Sequence, residues 1–209
     1  MTAKVTLIDY KIGNLFNLQR AFEHLGCTPS LINDVDSIKN ADRLVVPGVG
    51  AFGEGIENIN KLGIKDAIKD FAKTGKPIIG ICLGMQLLLS HSEELGSWNG
   101  LDIIQGNVLR FKEGNWKLPQ ITWNSLEKSK TSWEQTILDG LPSGALMYFN
   151  HSYYAEPKDP KVILATTNYA NYQFASVLKQ ENVFACQFHP ERSGEWGLKL
   201  LSNFAHLKF

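Results

Sequence analysis

Pro77-Ile78-Ile79-Gly80-Ile81-Cys82-Leu83-Gly84-Met85-Gln86-Leu87-Leu88-Leu89 is the stretch whose reading decides the fold. An apolar run of strand length ends at a cysteine and passes straight into a segment predicted as helix over residues 83–89. A strand that is apolar at every position, not at alternate ones, is buried on both faces, as in a parallel sheet covered by helices. Working outward, Val5 to Ile8 and Leu44-Val45-Val46 are runs of the same kind, the second stopped by Pro47-Gly48. Between them Asn14 is placed to cap a helix carrying Leu15, Leu18, Ala21, Phe22 and Leu25 at 3.6-residue spacing, closed by Gly26. Helical patterning continues from Ile56 to Ala72. Strands alternating with helices predict an α/β fold.

The second half reads differently. Short strands are expected at Val108 to Phe111, Met147 to Phe149, Val162 to Ala165, Phe174 to Leu178 and Val183 to Phe188. Turn-rich stretches such as Asp139-Gly140-Leu141-Pro142 separate them, which predicts antiparallel pairing. A final helix is expected from about Glu195 to Leu207. With no internal repeat or low-complexity linker, the simplest organisation is one α/β domain over residues 1–209, with a mixed, mostly parallel central sheet.

Composition narrows the function. The 209 residues carry 21 basic and 21 acidic side chains, for a formal net charge of zero. No basic stripe points to nucleic acid and no polybasic or long apolar segment points to a membrane. The first ten residues read as a strand, not a signal peptide. Three cysteines (Cys27, Cys82, Cys186), far apart and odd in number, suit a reducing compartment, so a cytoplasmic location is expected. No spacing resembles a metal site, and no metal or other cofactor is expected.

Chemistry concentrates at three places. In Gly80-Ile81-Cys82-Leu83-Gly84, glycines two positions either side of the cysteine allow a sharp strand-to-helix turn that exposes the side chain. A helix N-terminus also stabilises a thiolate, which makes Cys82 the candidate nucleophile; Cys27 and Cys186 lack that context and read as packing residues. In Gln187-Phe188-His189-Pro190-Glu191, residues two apart in extended backbone point the same way. Glu191 is thereby expected to accept the Nδ1 proton of His189 while Nε2 faces the thiol, as in a nucleophile–His–acid triad. Attack by a thiolate creates an oxyanion that needs aligned donors. The amide of Leu83 is one candidate, and the glycine loop Pro47-Gly48-Val49-Gly50-Ala51-Phe52-Gly53 is the expected source of the other. That loop lacks the Lys-Ser/Thr ending of a phosphate loop.

Together these segments resemble the class I, triad-type glutamine amidotransferases, most nearly the glutaminase subunits of imidazole glycerol phosphate synthases. Gly13-Asn14-Leu15, Trp123-Asn124 and Tyr148-Phe149-Asn150-His151-Ser152-Tyr153 extend the likeness along the whole chain, in order. The resemblance implies a three-layer, flavodoxin-like domain and hydrolysis of L-glutamine through a thioester on Cys82. It implies a heterodimer with a (β/α)8-barrel cyclase/synthase subunit that receives the ammonia. By position it gives the oxyanion amides to Gly50 and Leu83, substrate binding to Gly48, Gln86, Glu94, Ser152 and Tyr153, and the partner interface or gating to Gln120, Trp123 and Asn124. His91 and His151 read as structural.

Two departures stand out. Where the family usually has Asp-Tyr-Gly, this chain has Asp9-Tyr10-Lys11, and Pro-His-Met-Gly-Trp-Asn becomes Pro119-Gln120-Ile121-Thr122-Trp123-Asn124. The triad is untouched, but the partner-facing segment is changed. Alternatives therefore stay open: a paralogue supplying ammonia to another synthase, such as a surface-glycan sugar amidating enzyme; a free-standing γ-glutamyl cysteine hydrolase; and a non-catalytic thiol sensor. An intact His-Glu pair and glycine loop weigh against the last, because a sensor needs neither.

Overall fold

A computed structural model describes residues 2–207. In chain order the strands are β1 (Lys4–Ile8), β2 (Thr28–Ile32), β3 (Leu44–Val46), β4 (Ile78–Ile81), β5 (His91–Ser92), β6 (Trp98–Asn99), β7 (Gly106–Arg110), β8 (Gln120–Ser125), β9 (Glu127–Lys128), β10 (Leu146–His151), β11 (Tyr153–Pro157), β12 (Ile163–Tyr169), β13 (Tyr172–Gln180) and β14 (Val183–Cys186). The helices are α1 (Leu15–His24), α2 (Val35–Lys39), α3 (Phe52–Lys61), α4 (Lys65–Ala72), α5 (Leu83–Leu87) and α6 (Gly194–His206).

Five strands, in the order β2-β1-β3-β4-β14, run parallel and form the centre of the sheet. Antiparallel strands β13, β11 and β7 extend it from the β14 side, so the sheet is mixed with a parallel heart, as expected. Alternation along the central strands separates two apolar layers. Val5, Leu7, Val45 and Ile79 face α1 and α6 through Phe22, Leu200 and Phe204. Ile8, Leu44, Val46 and Ile78 face α3, α4 and α5 through Ile56, Ile68 and Leu87. Burying both faces of these strands supplies the apolar burial that drives folding, about 25 cal/mol per Å².

Local signals behave as their chemistry dictates. Asn14 caps α1, its side chain accepting from the Asn17 amide at 3.4 Å. The patterned stretch from Ile56 to Ala72 is two helices, parted by the turn at Leu62-Gly63-Ile64, where Gly63 sits at φ +68°. The helix after Cys82 is shorter than expected, ending at Leu87. Strand β2 has no apolar run because it is the sheet edge and most of its side chains face outward. Lys11 adopts φ +68°, the left-handed backbone that glycine takes most easily. Its side chain pairs with Asp9, so the departure from Asp-Tyr-Gly changes the residue and keeps a glycine-like turn. Among the described residues no helix is long and apolar enough to cross a membrane.

Candidate active site

Cys82 follows β4 directly, and the chain reverses there: φ is +55° and ψ −109°, a strained conformation for a residue with a side chain. What permits the turn is contact around it. A Cβ on Gly80 would lie 2.7 Å from the Gly84 carbonyl oxygen, and one on Gly84 would overlap the Val46 carbonyl. Both glycines are thus needed for the helix to seat against the sheet, not only for the turn itself. The Cys82 amide donates to the Cys186 carbonyl at 2.8 Å, which ties this turn to the end of β14.

Beyond that strand end lies His189. Its Nδ1 is 2.9 Å from Glu191 Oε1, with both side chains almost wholly buried. The predicted pairing is present, but its predicted cause is not. Pro190–Arg192 is a 3-10 turn with proline at its start, so the two side chains meet through the turn and not through strand alternation. Proline suits that position because its missing amide would be unpaired there in any case. Ser193 secures the turn by donating to the His189 carbonyl at 2.6 Å and accepting from the Tyr148 amide at 3.0 Å. The His189 amide donates to the Tyr148 carbonyl at 2.9 Å, so the imidazole is held from β10 as well.

His189 is also hydrogen-bonded to the Cys82 side chain. Burial opposes its charged form, but the bonds and charges of Cys82 and Glu191 outweigh burial and push its pKa up to about 10. Nearby His151 is the opposite case. Burial lowers its pKa to about 4, and its Nδ1 lies 2.7 Å from the Tyr153 carbonyl, so it is a neutral core histidine donating to that oxygen.

A cavity of about 230 Å³ joins these groups, lined by Val49, Gly50, Cys82, Leu83, Gln86, Glu94, Pro119, Asn150, His151, Ser152, Tyr153 and His189. Larger hollows lie elsewhere, including one of about 670 Å³ around Lys128, Lys130 and Lys161, but that one contains no cysteine or histidine. The small cavity brings together most of the residues singled out from sequence. Glu94 reaches it from the turn between β5 and β6, and its Oε2 accepts from the Phe52 amide at 2.7 Å. Burial raises the Glu94 pKa, with the Phe52 bond opposing. Gly50 lines the cavity at φ +112°, where a side chain would be strained.

Two residues lie away from the cavity wall and the outer surface. Gly48 is absent from the cavity wall: an added Cβ there would run into the Tyr10 hydroxyl and come within 3.0 Å of Leu83. Its carbonyl instead accepts from the Leu83 amide at 3.3 Å, so that candidate oxyanion donor is already engaged. Gln120 is fully buried, with neither amide atom hydrogen-bonded, and so presents no surface to a partner. It is paired with His151 in the β8–β10 ribbon, and side chains opposite one another share a face, here the inner one. Trp123 is half-exposed, as are Ile121 and Leu146 of the same ribbon. Asn124 donates to the Asn168 carbonyl at 2.8 Å and braces the ribbon.

Sequence reasoning assigned no task to Gln187. It is fully buried, and its Nε2 lies 3.9 Å from Cys82 Sγ. Its position two residues before His189, the same strand-side spacing used for the histidine, is the signal that could have found it.

A protein-family model for class I glutamine amidotransferase matches residues 6–207. The imidazole glycerol phosphate synthase subunit HisH of Chlorobaculum tepidum is 43% identical over 201 residues, covering 96% of this chain and 98% of the relative. Subunit HisH 1 of the same synthase from Legionella pneumophila strain Paris is 42% identical over 212 residues, covering 98% and 100%. Among solved structures, PurLQS from Thermotoga maritima superposes with a TM-score of 0.72 at 20% identity, covering 98% of each chain. A structure described as a glutamine amidotransferase gives 0.74 at 19% identity, covering 97% of each. At those identities the structural likeness speaks to the fold.

Proposed function

This chain belongs to the class I glutamine amidotransferases, and on that premise we propose that its cavity hydrolyses glutamine through a thioester on Cys82. Its function is that of the glutaminase subunit of imidazole glycerol phosphate synthase, in histidine biosynthesis. The observation that carries the mechanism is that Cys82 and His189, from two separate strand ends, line one small cavity, with Glu191 bonded to His189 behind it. His189 takes the thiol proton as the Cys82 sulfur attacks the side-chain amide carbon of glutamine. His189 then gives its proton to the departing ammonia, and the neutral ring takes one from the water that cleaves the thioester. Glu191 holds the tautomer and supports the imidazolium.

The substrate reading assigns the glutamine amino and carboxylate ends to Glu94, Gln86, Ser152 and Tyr153, with the Gly50 amide as one oxyanion donor. The Leu83 amide becomes the second donor once it exchanges the Gly48 carbonyl for the oxyanion. The ammonia leaves for a synthase partner built as a (β/α)8 barrel, held in a heterodimer. The exposed Ile121, Trp123 and Leu146 on β8–β10 support docking there. A single domain spanning residues 1–209, in the cytoplasm, completes this reading.

The test is a mixing experiment with the barrel cyclase of histidine biosynthesis from the same source. Glutamate release is followed with and without the cyclase's nucleotide substrate. Strong stimulation on adding that ligand is the expected result; no binding and no stimulation, from folded proteins, would direct the search to a different synthase. In the stimulated complex Glu191→Gln should slow glutamate release by roughly 10²–10⁴-fold, because the amide stabilises neither the right tautomer nor the imidazolium. An unchanged rate would remove Glu191 from the triad.

A further inference from the structure

Behind the cavity runs a short chain of buried amides that ends on the nucleophile. Gln86 Nε2 donates twice, to the Tyr153 carbonyl at 3.1 Å and to Gln187 Oε1 at 3.1 Å. Both of its amide protons are thereby used, and the side chain is buried. The consequence falls on Gln187. Since its oxygen must face Gln86, its nitrogen must face the other way, towards Cys82 Sγ at 3.9 Å. The Gln187 backbone is fixed as well, its amide donating to the Ser176 carbonyl at 2.9 Å. With no water able to compete at a fully buried side chain, the direction of this N–H is set by the network and not by solvent.

We infer that Gln187 is a further residue of the reaction centre, donating a side-chain N–H to the Cys82 sulfur and holding it in the attacking position alongside His189. The inference rests on the reading of Cys82 as nucleophile. His189 and Gln187 approach the sulfur from neighbouring positions beyond β14, and Gln86 orients Gln187 from α5. Gln86 therefore acts on the sulfur through Gln187 in addition to lining the substrate cavity. The thiol also donates to the Asn150 carbonyl at 3.9 Å, and these contacts together fix one rotamer at a backbone position, φ +55°, that is itself strained. Acylation neutralises the sulfur, so the Gln187 bond is strongest before attack and weakens once the thioester forms.

Gln187→Glu separates donation to sulfur from structural support. One carboxylate oxygen still accepts from Gln86, while the N–H towards Cys82 is replaced by an acceptor that repels the anion. Glutamine hydrolysis by the assembled complex should lose about tenfold or more in kcat with KM held within about threefold. Alkylation of Cys82 by iodoacetamide should slow in parallel. A loss that appears only as pH rises and the new carboxyl ionises supports the same assignment, because the protonated acid can still donate. Gln187→Leu, which removes both hydrogen bonds, should show the same kcat loss. Wild-type kcat and alkylation rate in Gln187→Glu on the alkaline side of neutrality would overturn the inference. Failure of the nucleophile reading looks different: the Cys82→Ala complex would then still release glutamate.

Discussion

Cys82→Ala should abolish glutamine-dependent synthesis by the complex while leaving synthesis from added ammonium salt at the wild-type rate. The substitution removes the atom that forms the thioester, and losses from deleting a nucleophile reach about 10⁴-fold or more. It costs the fold little. Alanine meets the same positive φ as cysteine, the side chain is small, and the backbone amide at position 82 keeps its bond to the Cys186 carbonyl. His189 loses the sulfur's bond and charge, so its pKa should fall from about 10 towards the ordinary histidine range, which a ring-proton titration by NMR would follow. Product formation is measured twice, once with glutamine and once with ammonium chloride at a pH that supplies free ammonia. Loss of both activities in a folded complex would sink the division of labour between the subunits. A Cys82→Ala chain that retained its biological role would restore the thiol-sensor alternative.

The largest loss of stability is expected at Gly84→Ala. Any Cβ there overlaps the Val46 carbonyl oxygen, with the Pro47 carbonyl carbon only 3.5 Å away. Both belong to backbone at the end of β3, which cannot swing aside as the tip of a side chain can. Helix α5 would have to lift from the sheet, carrying Leu83 and Cys82 with it. Overpacking of this kind costs about 3 kcal/mol or more. Gly55→Ala makes the comparison. Its Cβ would meet the flexible ends of Leu87 and Leu83 at 3.1–3.4 Å, and it sits inside α3, where alanine is favoured by about 1 kcal/mol. Urea unfolding should show a much lower midpoint for Gly84→Ala and little change for Gly55→Ala. Equal midpoints would mean that the contact with Val46 is not the reason for glycine.

How far the chain could be read depended on the range of each interaction. The elbow at Cys82 was legible because an apolar strand, two glycines and a helix are all within about ten residues. The His189–Glu191 pair was legible as a pair, yet for the wrong local reason, since the turn begun by Pro190 and not extended backbone brings the side chains together. Strand β2 was missed because an edge strand with outward side chains carries no apolar run. Strands β5, β6 and β9, two residues each, fall below any periodicity signal. Of the two roles expected for Gln120, partner interface or gating, its burial removes the first. Its sequence neighbours Ile121 and Trp123 are exposed, and only the pairing with β10 shows that Gln120 takes the inner face.

By itself the sequence determined the α/β class and the family and singled out Cys82, His189 and Glu191, because each is written in contiguous residues whose chemistry is local. Tertiary structure alone decided that the Leu83 amide is held by Gly48, that Gln120 is buried with its amide unpaired, and that Gln187 faces the sulfur. The physical reason is direction. A side chain's burial and the aim of its donors depend on which strands lie beside it, and strands distant in sequence become neighbours only when the sheet forms.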